Sequence, residues 1–420
     1  MTAGGGAGEA LRLLDGLLSP AGRELLDEVM AEPGEPGGEL ALGERLRERW
    51  PADLVAAALA QRELRLAARA KFRLAERMLF TRPGLEQASA EAVARHRARR
   101  YQGMAAVADL CCGIGGDLVA LAPGRAVLAV DLDPVHLRMA AANAAAYGAG
   151  AGPNGRAGPL GRSSRGPAGP EGAVETLLAD ARAAPLDRVE GVFVDPARRG
   201  GGRRFAPGAS EPPLAWCLGL AERVVAVGVK AAPGLPLDLV PAGWEVELIA
   251  DGRDLKEAAL WSPALATAPR RATVLPDGWT LTPAPGAPVA CAPPGAYLLD
   301  PNPAVTRAGA VETLARTLGA WKLDERIAFL SADEPPRTPF GRPLRVEASM
   351  PYGLKRLRAS LRALGVGAVD VRRRGLAGDV DELRRRLRLD GDRRATVVLT
   401  RVLDRPWALV CTDLDGPPLA

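Results

Sequence analysis

Hydrophobic positions change their period twice along this chain. From about residue 8 to residue 100 they recur at helical spacing. Ala10–Met30 places Leu11, Leu13, Leu14, Leu17, Leu18, Leu25 and Leu26 on such a period, and Pro33–Gly38 interrupts it. Asp53–Leu79 then reads as one long helical pattern carrying Leu54, Leu59, Leu64, Leu66, Phe72 and Met78, with Pro51 near its start. Pro83-Gly84 marks a turn. A helical N-terminal domain over 1–100 is expected. From about 105 to 265 short apolar strands alternate with helical stretches: Ala105–Leu110, Ala126–Val130, a helix Pro134–Tyr147, then Ala173–Leu178, Gly191–Val194, Arg223–Val229 and Trp244–Ile249. That alternation predicts a parallel, doubly wound α/β sheet with helices on both faces, over 101–268. Ala149–Gly172 is rich in Gly, Pro and Ser and aperiodic, and is expected to be a flexible insertion without a core of its own.

Beyond Arg270 the pattern changes again. Arg271–Leu275 and Trp279–Leu281 flank Pro276-Asp277-Gly278 and predict a hairpin. A helix over Pro303–Leu318 follows. Strands are expected at Ile327–Leu330, Leu344–Glu347, Gly367–Val371, Ala395–Thr400 and Trp407–Cys411, with helices at Gly353–Leu364 and Val380–Leu387. Residues 269–420 thus form a second, smaller α/β domain behind a hairpin linker.

Composition narrows the chemistry. The five cysteines form no C-x-x-C pair, and with only His96 and His136 a zinc site or a histidine-based triad is not expected, so no metal is anticipated. The N-terminus lacks a basic, apolar leader and no uncharged apolar run reaches membrane length, so a cytoplasmic protein without a membrane partner is expected. Net charge is +5, but Arg342–Arg388 alone carries +8, with 13 Lys/Arg against 5 Asp/Glu. A basic patch on a near-neutral body suggests a polyanionic partner. Nothing in the sequence indicates an oligomeric state.

The densest motif is Asp109-Leu-Cys-Cys-Gly113-Ile-Gly115-Gly116-Asp117, which follows an apolar strand and opens a helix. Glycines there permit a tight turn and a close ligand approach. A nicotinamide fingerprint needs a third glycine at position 118, which is Leu118. S-adenosylmethionine instead calls for an acid before the glycines, which Asp109 supplies. Asp131 closes the second strand, placed to accept two ribose hydroxyls. Asp180 follows the third strand, where an acid can accept from an adenine amino group. The cofactor-binding residues expected are Gln87, Asp109, Cys111, Cys112, Gly113, Gly115, Asp117, Asp131, Leu132, Asp180, Ala181 and Asp195. Val192-Phe-Val-Asp195-Pro196-Ala197-Arg198 ends the fourth strand and supplies the catalytic candidates Asp195, Pro196 and Arg198.

This spacing resembles the class I S-adenosylmethionine-dependent methyltransferases and implies their Rossmann-like fold. Cys111 departs from it, standing where the pattern has its first glycine. Asp195-Pro196 resembles the acid-Pro pair of nucleic-acid amino methyltransferases, in which the acid accepts from the amino group to be methylated. The Asp-Pro-Ala-Arg run also resembles RNA uracil-C5 methyltransferases. Those need a cysteine at the end of the next strand, where this chain has Val227-Gly-Val-Lys230.

Over nearly its whole length the chain resembles bacterial methyltransferases with a C-terminal THUMP-like domain. The resemblance is carried by Phe80–Ala88, the Asp109 motif, Val194–Arg199 with Gly200-Gly-Gly-Arg-Arg204, Val229-Lys230, Glu257–Trp261, Ser331–Pro335 and Leu354–Leu357. It implies an RNA substrate, tRNA or rRNA, methylated at a base nitrogen. Lys355, Arg356, Arg358, Arg362, Arg372, Arg373 and Arg374 are the RNA-binding candidates. Phe80–Ala88 is expected to pack over the cofactor mouth. A small-molecule methyltransferase capped by its C-terminal domain, and a non-catalytic S-adenosylmethionine-binding RNA factor, are the competing readings.

Overall fold

The computed structural model describes residues 4–32, 38–151, 172–197, 199–200, 203–204 and 209–414. Most of the expected 149–172 insertion, and Arg198, lie outside them. The chain divides into two compact units, Met1–Glu245 with Ala258–Thr267, and Val246–Glu257 with Ala268–Ala420.

In the first unit the helices Gly4–Leu18, Pro20–Ala31, Gly38–Arg47 and Ala52–Ala68 bury the leucine stripe that their period predicts. Leu14, Leu25, Val29, Leu46, Val55, Phe72 and Phe80 share one core with Ile114 and Met139. The helical segment is therefore packed onto the glycine loop and the helix Pro134–Ala146. The long helix expected through Leu79 stops at Ala68. Tertiary hydrogen bonds draw the chain back instead. Buried Gln61 both donates to the Phe80 carbonyl and accepts from its N–H, at 2.7 and 2.9 Å, while Arg65 Nε donates to the Met78 carbonyl at 2.8 Å. Side chains thus satisfy an extended strip that makes no helical ladder.

The parallel sheet of this unit runs Ala226–Ala231, Gly191–Val194, Ala106–Leu110, Ala126–Asp131, Ala173–Leu178, Gly150–Ala151. Ala258–Trp261 pairs antiparallel to Ala226–Ala231. Ala106–Leu110 lies between its two parallel neighbours, Ala126–Asp131 and Gly191–Val194. The strand order reverses there, which opens a crevice at the carboxyl ends of these strands. Behind them, buried Tyr101 donates to the Val192 carbonyl at 2.7 Å. A Cβ on Gly228 would come within 2.4 Å of the Tyr101 hydroxyl, which is why a glycine interrupts that strand.

In the second unit Arg270–Leu275 pairs parallel to Val246–Asp251 and antiparallel to Trp279–Leu281, around the Pro276-Asp277-Gly278 turn. A seven-stranded sheet runs Trp321–Asp324, Ile327–Ala332, Tyr297–Pro301, Gly341–Pro351, Arg405–Asp413, Arg393–Val402, Val366–Arg373. Tyr297–Pro301 and Trp321–Asp324 are strands that the sequence pattern does not predict. The helix expected over Pro303–Leu318 is two helices, Pro303–Ala308 and Val311–Leu318. Gly309 breaks it by taking a left-handed φ of +76°. Leu357, Leu361, Leu383 and Leu387 of the two later helices bury against Val366, Val397 and Val410. Among the described residues no helix is long and apolar enough to cross a membrane.

Candidate active site

The glycine loop follows Ala106–Leu110 and is shaped by three left-handed residues: Cys111 at φ +60°, Gly113 at +53° and Gly115 at +86°. Cys111 holds the glycine-like conformation without being glycine, so the loop stores strain there. Gly115 is required twice over, by its φ and because a Cβ would lie 2.9 Å from the Ala140 Cα. The loop is tied down from below. Cys112 N–H donates to the Val130 carbonyl at 3.1 Å, and Gly113 N–H donates to Asp131 Oδ2 at 2.8 Å. The other oxygen of Asp131 accepts from Asp133 N–H at 2.8 Å. Asp133 caps the helix Pro134–Ala146 by accepting from Val135 and His136. One turn from that helix's end, fully buried Asn143 accepts from Leu79 N–H and donates to the carbonyls of Leu79 and Ile114, at 2.7, 2.9 and 2.8 Å. Helix, loop and the Met78–Phe80 strip are thereby joined through one amide.

Beneath the loop the electrostatics are unusual. Asp109 is fully buried, and neither of its oxygens has a hydrogen-bond partner among the described residues. Burial, then the charges of Asp117 and Asp195, push its carboxyl well above the ordinary range, and Arg97 only partly opposes them. Arg97 is itself buried, ion-paired with Asp117, its guanidinium 4.8 Å above the Phe193 ring. Burial likewise raises the thiols of Cys111 and Cys112, so both stay protonated at neutral pH.

Above the loop lies a cavity of about 470 Å³. Cys111, Cys112, Gly113, Asp117, Leu132, Ala181 and Pro196 line it, together with three part-exposed acids at its rim, Asp131, Asp180 and Asp195. Gln87 lines it too, with Gly84, Glu86 and Ala88. Asp109 and Gly115 lie behind the lining, one buried under the loop and the other packed on Ala140. The segment Phe80–Ala88 rests on the loop: a Cβ at Gly84 would come 2.6 Å from Ile114 Cγ2. Lys71 Nζ holds that segment by donating to the carbonyls of Leu85, Glu86 and Ala88.

On the rim, Asp180 accepts from Arg182 through both backbone and guanidinium, at 2.8 and 2.9 Å. Lys230, at the end of Ala226–Ala231, donates from Nζ to Asp195 Oδ2 at 2.6 Å and also lines the cavity. Sequence reading gave Lys230, Asn143 and Arg97 no role in the site. Their partners are 35, 64 and 20 residues away, and no local pattern signals them.

The basic candidates of the second unit separate into two groups. Lys355, Arg356 and Arg373 are exposed. Arg358 donates to the Arg386 carbonyl and Arg362 to the Arg388 carbonyl, capping the end of the helix Val380–Leu387. Arg372 bonds Asp370 at 3.2 Å, and Arg374 bonds Asp300 at 2.9 Å beneath the Phe329 ring.

Three family models match the chain: one described as THUMP domain-like over 341–413, one as RNA cap guanine-N2 methyltransferase over 104–152, and a domain of unknown function over 10–68. A protein of Mycobacterium tuberculosis, found in two strains and named an uncharacterized S-adenosylmethionine-dependent methyltransferase, is 39% identical over 344 residues. The match covers 79% of this chain and 88% of that protein. The chain belongs to the S-adenosylmethionine-dependent methyltransferases. A crystal structure from Porphyromonas gingivalis W83, of a protein assigned to the methyltransferases, shares the fold of this methyltransferase with a TM-score of 0.69 at 20% identity. It covers 91% of this chain and 100% of that one. S-adenosylmethionine is the methyl donor. The chain's own groups fit such a cofactor: the cavity is of ordinary small-ligand size, its loop backbone is open to close approach at Gly113, and the buried carboxyl of Asp109 under the loop has no hydrogen-bond partner among the described residues. Among the described residues no group of His, Cys, Asp and Glu is arranged to hold a metal ion.

Proposed function

We propose that this methyltransferase modifies a nitrogen of an RNA base, with Asp195 receiving the acceptor. The observation that carries this reading is the state of the rim carboxylates. Both oxygens of Asp131 and of Asp180 already accept hydrogen bonds, whereas Asp195 Oδ1 has no partner among the described residues. An open carboxylate oxygen at the strand end facing the donor site suits an acceptor N–H. By accepting that hydrogen bond Asp195 holds the nitrogen lone pair toward the donor, and it can take the proton that the methylated nitrogen sheds. Pro196 restricts the backbone on which Asp195 sits. When bound, S-adenosylmethionine supplies an electrophilic methyl on its sulfonium.

On the donor side Asp131 would take the ribose hydroxyls with its remaining lone pairs, and Asp180 the adenine amino group. Asp109 would act from beneath the loop, behind the residues that line the cavity. Gln87, Leu132 and Ala181 would flank it. An RNA acceptor is supported by the THUMP-like model over 341–413, and by the exposed Lys355, Arg356 and Arg373 within that span. The guanine-N2 model covers only the glycine loop and Asp131, so it supports the donor site more than the choice of base.

Nucleoside mass spectra of RNA from wild-type and deletion cells test the acceptor. A methylated nucleoside lost on deletion, and restored by the wild-type gene but not by Asp195→Ala, is expected. Identical RNA profiles with a missing methylated small molecule would overturn the RNA reading. In purified protein Asp195→Ala should lower turnover at least about 100-fold while donor affinity holds. Asp131→Ala should weaken S-adenosylmethionine by about 2–4 kcal/mol, roughly 30- to 1000-fold, for the loss of two charge-assisted bonds. Calorimetry showing equal losses of donor affinity in the two variants would make Asp195 a cofactor residue.

A further inference from the structure

Asp195 is constrained almost everywhere except at its own side-chain torsion. Its N–H donates to the Leu110 carbonyl at 3.2 Å, and Pro196 limits the backbone that follows. The carboxylate itself turns about a broad, roughly two-fold torsion. Left to itself it would offer either oxygen to the cavity in several orientations. The side chain is a quarter exposed, so packing alone does not choose among them.

Lys230 supplies what is missing. Val194 and Val229 are register partners in neighbouring parallel strands, so Asp195 and Lys230 are the next positions of each strand. The lysine side chain is 5% exposed, and its ammonium meets Asp195 Oδ2 at 2.6 Å. Among the described residues the ammonium has no other acceptor. Among the described residues it belongs to no wider ion-pair network, and the other rim acids use other donors: Asp131 the backbone of Gly113 and Asp133, Asp180 the side chain of Arg182. A buried cation committed to one oxygen of one carboxylate is a costly device if its purpose is only to hold the fold, since buried ion pairs contribute little net stability.

We infer that Lys230 is a positioning residue for methyl transfer: it pins Oδ2 of Asp195, so that Oδ1 alone, in one orientation, meets the acceptor N–H. The inference rests on Asp195 as the acceptor-binding group. It does not depend on whether the acceptor is RNA. Lys230 needs no contact with the donor, so its removal should appear in turnover and not in cofactor affinity. Because it acts through Asp195, its contribution should vanish once Asp195 has been changed.

The test uses the full-length enzyme, isotope-labelled S-adenosylmethionine and whole lysate of a deletion strain. After reaction the lysate is separated into RNA, protein and small molecules. The fraction that takes label reports the acceptor class, and the ratio between variants reports Lys230, so the two readings fail separately. Lys230→Met should lower turnover by about 100-fold, the scale of a misplaced catalytic group, with donor affinity by calorimetry unchanged within about twofold. Lys230→Gln, which keeps an N–H donor without the charge, guards against a variant that merely unfolds and should recover about tenfold of the loss. Asp195→Asn combined with Lys230→Met should be no slower than Asp195→Asn alone. Multiplicative losses in the double variant, or a Lys230→Met enzyme with wild-type turnover, would overturn the assignment. So would a variant whose donor affinity falls in step with its turnover.

Discussion

Asn143 is the residue whose replacement tests most directly how this site is built. Its amide is fully buried and makes three hydrogen bonds, one from Leu79 N–H and one to each of the carbonyls of Leu79 and Ile114. Asn143→Ala removes all three partners at once. A buried backbone group left unsatisfied costs about 1–3 kcal/mol. A carbonyl has a second lone pair and a vacated side chain leaves room for water, so a total of about 3–6 kcal/mol is expected. That is a large share of the roughly 5–15 kcal/mol by which a folded domain is stable. It corresponds to a melting point lower by roughly 10 °C for a unit of this size. Ile114 belongs to the glycine loop, so S-adenosylmethionine affinity should also fall, by at least about tenfold, or 1.4 kcal/mol. Urea denaturation followed by circular dichroism, together with calorimetric titration of the cofactor, measures both. Asn143→Asp is the sharper variant. It keeps the acceptor for Leu79 N–H but sets an oxygen against two carbonyls, so it should be no more stable than Asn143→Ala. A loss below about 1 kcal/mol in Asn143→Ala, or wild-type stability in Asn143→Asp, would refute the reasoning.

Two further outcomes follow from the charges. Asp109 has its carboxyl pushed up by burial and by Asp117 and Asp195, so the native state holds that proton more tightly than the unfolded chain does. Its contribution to stability is therefore lost as pH rises above the ordinary aspartate range of about 3.9. Asp109→Asn should remove that slope, gaining stability over wild type at neutral pH but not near pH 3, while weakening cofactor binding; urea midpoints across pH that run the other way would contradict it. In the second unit, charge reversal at exposed Lys355 and Arg356 should weaken RNA binding and make its salt slope shallower by about 0.7–0.9 for each phosphate no longer neutralised. Arg358→Glu should instead lower thermal stability, because that guanidinium sits on the Arg386 carbonyl. Anisotropy titrations at several salt concentrations separate the two effects, and an unchanged slope in the Lys355/Arg356 variant counts against docking by this face.

What the sequence determined by itself was most of what has a local period or a fixed spacing. Apolar runs ending in Asp109 and Asp131, glycines at 113 and 115 and the Asp195-Pro196 step were legible because strand, turn and strand end are each written within a few residues. The same locality explains why Cys111 could be singled out as occupying a glycine's place, which its φ of +60° accounts for. Tertiary structure decided whatever depends on a partner distant in the chain. The helical period after Ala52 gave no warning that Gln61 and Arg65 would hold an extended strip and end the helix at Ala68. Arginine spacing alone could not show that Arg358, Arg362 and Arg374 bond within the fold while Lys355 and Arg356 face solvent. Nor could it show that Lys230 meets Asp195 at 2.6 Å, because that distance depends on the register of two parallel strands. The geometry of a site depends on which strand ends the sheet brings side by side, and only the folded sheet settles that.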